Sequence, residues 1–131
     1  MAQMVKRTNY TNDEKDVLLN PDNDAFQIGV QVANTGVSAN SEGRKIIPAG
    51  TPVGGATSAL KTRSAVLTVT NSSSTGANAQ GILRHDVDVT DGNQNATMIV
   101  RGEVDISKCP TIDTTVEAAL KHIIFVNGGN Y

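Results

Sequence analysis

Apolar and polar positions alternate along most of the chain from Phe26 onward. Ile28, Val30 and Val32 alternate with Gly29, Gln31 and Ala33, which predicts a half-buried strand. Ser64 to Thr70 is rich in β-branched residues and puts Ala65, Leu67 and Val69 on one face. Gly81 to Val89 alternates again, with Leu83, His85, Val87 and Val89 on one side and Arg84, Asp86 and Asp88 on the other. The longest pattern runs from Ala96 to Ile106. Ala96, Met98, Val100, Gly102, Val104 and Ile106 share one face; Thr97, Arg101, Glu103 and Asp105 share the other, with only Ile99 out of pattern.

The spaces between these runs carry turn chemistry. Asn34-Thr35-Gly36, Asn40 to Gly43 and Thr90 to Asn93 are turn signals, the last of them between two strand patterns. Pro48 to Gly55 holds two prolines and three glycines and is expected to be a loop, not a central strand. Asn71 to Ala79 is small and polar and reads as a surface loop. Near the C-terminus the period changes. Thr114 and Glu117 have capping-box spacing, and Val116, Ala119, Leu120 and Ile123 follow at helical intervals. Lys121 and His122 would then fall in the last turn, where the helix dipole favours positive charge. Ile123 to Val126 is expected to be a last strand. The sum is five or six strands and one short helix: a mostly-β fold, a small β-barrel or β-sandwich-like domain.

Residues 1–25 differ from the rest. They are polar, carry both signs of charge, and have one apolar cluster, Val17-Leu18-Leu19, before Asn20-Pro21. The expected organisation is an extended N-terminal arm, 1–25, followed by a β-rich domain, 26–131.

Composition narrows the function. The chain has 131 residues, 38% of them hydrophobic and only 3% aromatic, so the core must be built from Val, Ile, Leu and Ala. Such a core is thin, and association with neighbours is an expected source of stability. A net charge of -2 argues against a nucleic-acid partner, which calls for a basic surface, and against docking to an anionic membrane. One cysteine, Cys109, allows no internal disulfide and no Cys-rich zinc site. The first residues lack the apolar stretch of a secretory signal, so the expectation is synthesis in a reducing cytoplasm.

His85, Asp86, Asp88 and Asp91 are the one grouping that invites a metal or acid–base reading. On a strand His85 points away from Asp86 and Asp88, so the three do not converge. The spacing also fails as a calcium loop: Asp91 stands where glycine is needed and Thr97 where glutamate is needed. Asp86 and Asp88 are read as a solvated face beside Arg84, and His85 as a partly buried packing residue. No Gly-x-Ser-x-Gly elbow or phosphate-binding glycine loop is present. The expectation is no enzyme, no catalytic residue, no metal and no cofactor.

Order and spacing over Lys45 to Ile106 carry a family resemblance. IIPAGTPVGG precedes a variable segment, and AQGILRHDVDVTDGNQNATMIVRGEVDI follows it. This resembles the head decoration proteins of tailed phages, the lambda-type group and the related short head fiber proteins. Those share an AGT-hydrophobic-G stretch, a GIL or GVL strand running into DVD, a turn, and a strand ending G-x-V. VEAALKHIIFV is similar to their closing helix and last strand. The likeness covers roughly the last two-thirds of the chain.

The resemblance implies a homotrimer on the outer surface of an icosahedral phage head, at local three-fold positions. Such trimers bind the major capsid protein after the shell expands and help it resist internal DNA pressure. It implies a virion protein made in the host cytoplasm, with the arm facing the capsid. Met4, Val5, Tyr10, Val17, Leu18 and Leu19 are then the candidate arm anchors, with Lys6 and Arg7 directed to acidic capsid surface. The arm is longer than a minimal decoration protein needs and has the reach to cross to a second subunit. The alternative is a virion-surface module binding a host glycan or cell wall, motivated by the Asn- and Thr-bearing loop from Asn71 to Asn78. The shortage of aromatic rings weakens it.

Overall fold

The computed structural model describes residues 17–19 and 25–127. In chain order the strands are β1 (Leu18–Leu19), β2 (Phe26–Val32), β3 (Ile46–Ile47), β4 (Pro52–Gly54), β5 (Val66–Val69), β6 (Ala79–Leu83), β7 (Val87–Asp88), β8 (Gln94–Asp105) and β9 (Ile123–Val126), with one helix, α1 (Thr114–Ala119), before β9. Strands β8, β2, β5, β4 and β6 follow one another, and β6 pairs back onto β8. The result is a closed five-stranded barrel, which removes most sheet edges. All its pairings are antiparallel except β2 with β5.

Two apolar clusters share one wall. Inside the barrel lie Ile28, Val30 and Val32 of β2, with Val53, Leu67, Leu83 and Met98. A two-stranded ribbon of β3 and β7 plugs this interior with Ile47, Val87 and the neighbouring Val89. Outside, α1, β1 and β9 cover the other face of the β6–β8 pair. There Ile82 and Ile99, both fully buried, pack with Val17, Val104, Val116 and Leu120. Each such aliphatic side chain contributes about 1.5–3 kcal/mol on burial.

This arrangement explains Ile99. Ile82 pairs with Ile99 and Leu83 with Met98, so the wall is apolar on both faces. Ile99 breaks the alternation because it faces the outer cluster while Met98 faces the inner one. Opposite it, pairing passes from Phe26–Arg101 to Gln27–Ile99, leaving Val100 as an extra residue. That bulge lets β8 leave the barrel and continue between β1 and β9.

Four expectations change. Pro52–Gly54 is a central strand between β5 and β4's other neighbour, β6, although the segment predicts a loop. Proline is tolerated because it opens the strand, where its carbonyl still accepts from the Thr70 N–H at 3.0 Å. Gly54 is there for close approach: a Cβ would lie 2.0 Å from the Asn78 carbonyl oxygen. The Gly81–Val89 run is broken at Arg84–Asp86, where the chain leaves the barrel wall to form the plug. Asp113, not Thr114, caps α1; its carboxylate accepts from the Thr115 N–H at 2.9 Å. The helix ends at Ala119, so Lys121 and His122 sit in the following turn and the dipole does not account for them.

Candidate interaction surface

The acidic grouping is a structural clasp. Asp86 Oδ1 accepts from the Ala49 N–H at 2.7 Å, fixing the chain as it enters β4. Asp88 Oδ1 accepts from the Thr90 N–H at 3.0 Å and from the Thr90 hydroxyl. Arg44 Nε donates to Asp88 Oδ2 at 3.0 Å, and the two residues form an ion pair. Thr90 Oγ1 in turn accepts from the Lys45 N–H at 2.8 Å. The Thr90 hydroxyl, the Arg44 guanidinium and the Thr90 N–H together hold the Asp88 carboxyl down to about 2. Asp88 likewise raises Arg44 above its ordinary value, chiefly by hydrogen bonding.

Asp86 therefore ties the plug ribbon to the start of β4, and Asp88 ties the two strands of the ribbon to each other. The partner of Asp88 is Arg44, not the neighbouring Arg84, whose Nη1 donates to Gln27 Oε1 at 3.0 Å. His85 is exposed, contrary to the partly buried position the alternation predicts, because the strand is interrupted there. Among the described residues no three His, Cys, Asp or Glu side chains gather as a metal site would require.

The arm residues divide. Met4, Val5, Lys6, Arg7 and Tyr10 lie outside the described residues. Val17 and Leu18 are not free anchors: they are 0% and 4% exposed and belong to the domain's own outer cluster. Leu18 pairs with Val104 and Leu19 with Glu103, and the Asp105 N–H donates to the Val17 carbonyl at 2.8 Å. Val17–Leu19 thus pack within the β-rich unit, although they lie on the arm side of the expected boundary. The alternation misses this because a two-residue strand has no period to read.

β1, the end of β8, and β9 form a small platform outside the barrel. Leu19, Glu103 and Ile124 are cross-strand neighbours in one row, so they share its outer face. Phe26 pairs with Arg101 at the adjoining end. Ile124 of this platform is 59% exposed, and Phe26 at the start of the adjoining β2 is 44% exposed. Sequence reasoning did not single out either. Period two across Ile123 to Val126 was the available signal, since it sends Ile123 and Phe125 inward and Ile124 outward.

The Asn71–Asn78 loop is tied down. Asn71 Nδ2 donates to the Thr111 carbonyl at 2.7 Å, and its Oδ1 accepts from the Asp113 N–H at 2.9 Å. Ser72 and Thr75 bond each other at 2.7 Å. Gly76 is buried in a 3-10 turn, 3.0 Å from the Thr115 side chain at its would-be Cβ. The loop is a bracket for α1. No protein-family model matches the chain, and no curated protein matches it.

Proposed function

We propose that the protein is a capsid decoration protein of a tailed phage. It binds the outer surface of the expanded head as trimers at local three-fold positions, through the major capsid protein, and stabilises the shell against internal DNA pressure. The observation that carries this reading is the docking of Val17–Leu19 onto the end of β8, which roots the preceding residues at one fixed place beside the barrel. An arm anchored in this way delivers extended backbone to a partner without loosening its own domain.

Further support comes from the ordering of the AGT, GILRHDVD and VRGEVDI stretches, and from a clasp that spends its acidic groups on structure. A net charge of -2 suits a position outside the shell, away from packaged DNA. Many copies supply avidity, so individually weak contacts cement a whole shell. The capsid-facing residues are then Met4, Val5, Lys6, Arg7 and Tyr10. Val17 and Leu18 serve as the root. The glycan-binding alternative rests on the Asn71 loop, whose Asn71, Ser72 and Thr75 side chains are engaged within the molecule.

Electron cryomicroscopy of expanded heads incubated with the protein tests the reading. Three-lobed density on the outer surface at the local three-folds is the expected result. Heads that bind the protein elsewhere, such as at the tail, would overturn it.

A further inference from the structure

Among the described residues β9 pairs with β8 alone. The Gly102 N–H donates to the His122 carbonyl at 3.3 Å. In a parallel ladder in this register, Ile124 turns its backbone N–H and C=O toward β8, and Phe125 turns both away from it. Natural sheets blunt such an edge with charge, proline or a bulge. The sequence here, Ile-Ile-Phe-Val, uses none of these, and Ile124 is the most exposed of the large apolar side chains. Among the described residues nothing pairs with this β-branched edge, and such an edge is a template for one more strand.

We infer that this edge accepts a short stretch within residues 1–16 of a second copy of the chain, added as a strand beside Phe125, while the rest of the segment remains for the capsid. That segment is rooted at β1, across β8 from β9, so every copy carries both the donor and the acceptor. Fully extended, it reaches about 50 Å, enough to leave its own domain. Its Asp13, Glu14 and Asp16 are balanced by Lys6, Arg7 and Lys15, so no net side-chain charge keeps it from the apolar edge. Donor and acceptor are different surfaces, so the contact is heterologous and closes into a ring of copies at the right rotation. The inference rests on the proposed multi-copy function only for the number of copies in the ring.

Hydrogen exchange of the Phe125 amide in the full chain, followed by NMR over a range of protein concentrations, tests it. Exchange should slow by about tenfold or more as concentration rises. The slowing should vanish in Ile124→Lys and in a chain lacking residues 1–16. Equal exchange at all concentrations would overturn the inference. So would slowing independent of concentration, which places the segment on its own β9, or slowing that survives the deletion, which assigns another part of the second copy. Head binding is read separately: heads that still bind a protein with an unprotected Phe125 would leave the decoration role standing and remove only this contact.

Discussion

Leu18 packs directly against Gly102. A Cβ at Gly102 would lie 3.2 Å from Leu18 Cδ1, and the backbone there has φ +149°, a region L side chains rarely adopt. One glycine thus seats β1 on β8 and fixes the root of the N-terminal segment. Gly102→Ala should lower stability by about 1–3 kcal/mol through backbone strain and displacement of Leu18. Urea unfolding monitored by circular dichroism reads this, and an unchanged midpoint would contradict it.

Neighbouring glycines at the end of β4 should differ sharply. Gly54→Ala puts a methyl 2.0 Å from a backbone oxygen, and the β4–β6 pairing cannot hold. The variant should lose more than about 3 kcal/mol or fail to fold. Nothing lies within 4 Å of a Cβ at Gly55, so Gly55→Ala should stay within about 0.5 kcal/mol of the parent. Similar unfolding midpoints for the two variants would remove the close-approach argument.

The plug should loosen in acid. The Asp88 carboxyl sits at about 2 in the folded protein, against an ordinary 3.8. Its stabilisation is therefore complete above about pH 4 and is lost as pH falls through about 2. Asp88→Asn should be less stable at neutral pH, and its difference from the parent should shrink between pH 4 and 2. Thermal unfolding across that range checks the sign. A difference that stays constant would mean that the charge of Asp88 contributes nothing.

The two candidate caps of α1 make opposite predictions. Asp113→Ala should cost about 1 kcal/mol by freeing the Thr115 N–H, whereas Thr114→Ala should cost much less. Chemical denaturation of both variants decides the register of the helix.

Much of the barrel was legible because β2 and β5 keep period two and β8 keeps it as far as the bulge at Val100, beyond which Val104 turns to the outer cluster. β2, β5, β8 and β9 lie where alternation and β-branching place them. What alternation missed has specific causes. β4 was hidden because proline and glycine were read as loop residues, while the fold uses Pro52 as a strand start and Gly54 as a place of close approach. Ile99 falls out of pattern because β8 is buried on both faces where it pairs with β6. His85 was misplaced because the break at Arg84–Asp86 leaves no mark on the alternating pattern. The clasp joins Arg44 to Asp88 across the chain, and such long-range pairing has no local signature. Val17 and Leu18 were visible as an apolar cluster, but only the fold tells a core residue from an anchor.

The decoration role is tested most directly by co-sedimentation with heads of the source phage, before and after expansion. The full chain and a chain lacking residues 1–16 are compared, since this cut spares Val17 and Leu18 where removal of 1–25 would open the core. The account predicts saturable binding of the full chain near one trimer per local three-fold, on expanded heads only, and loss of that binding on deletion. Absence of binding to either form of the head would contradict it.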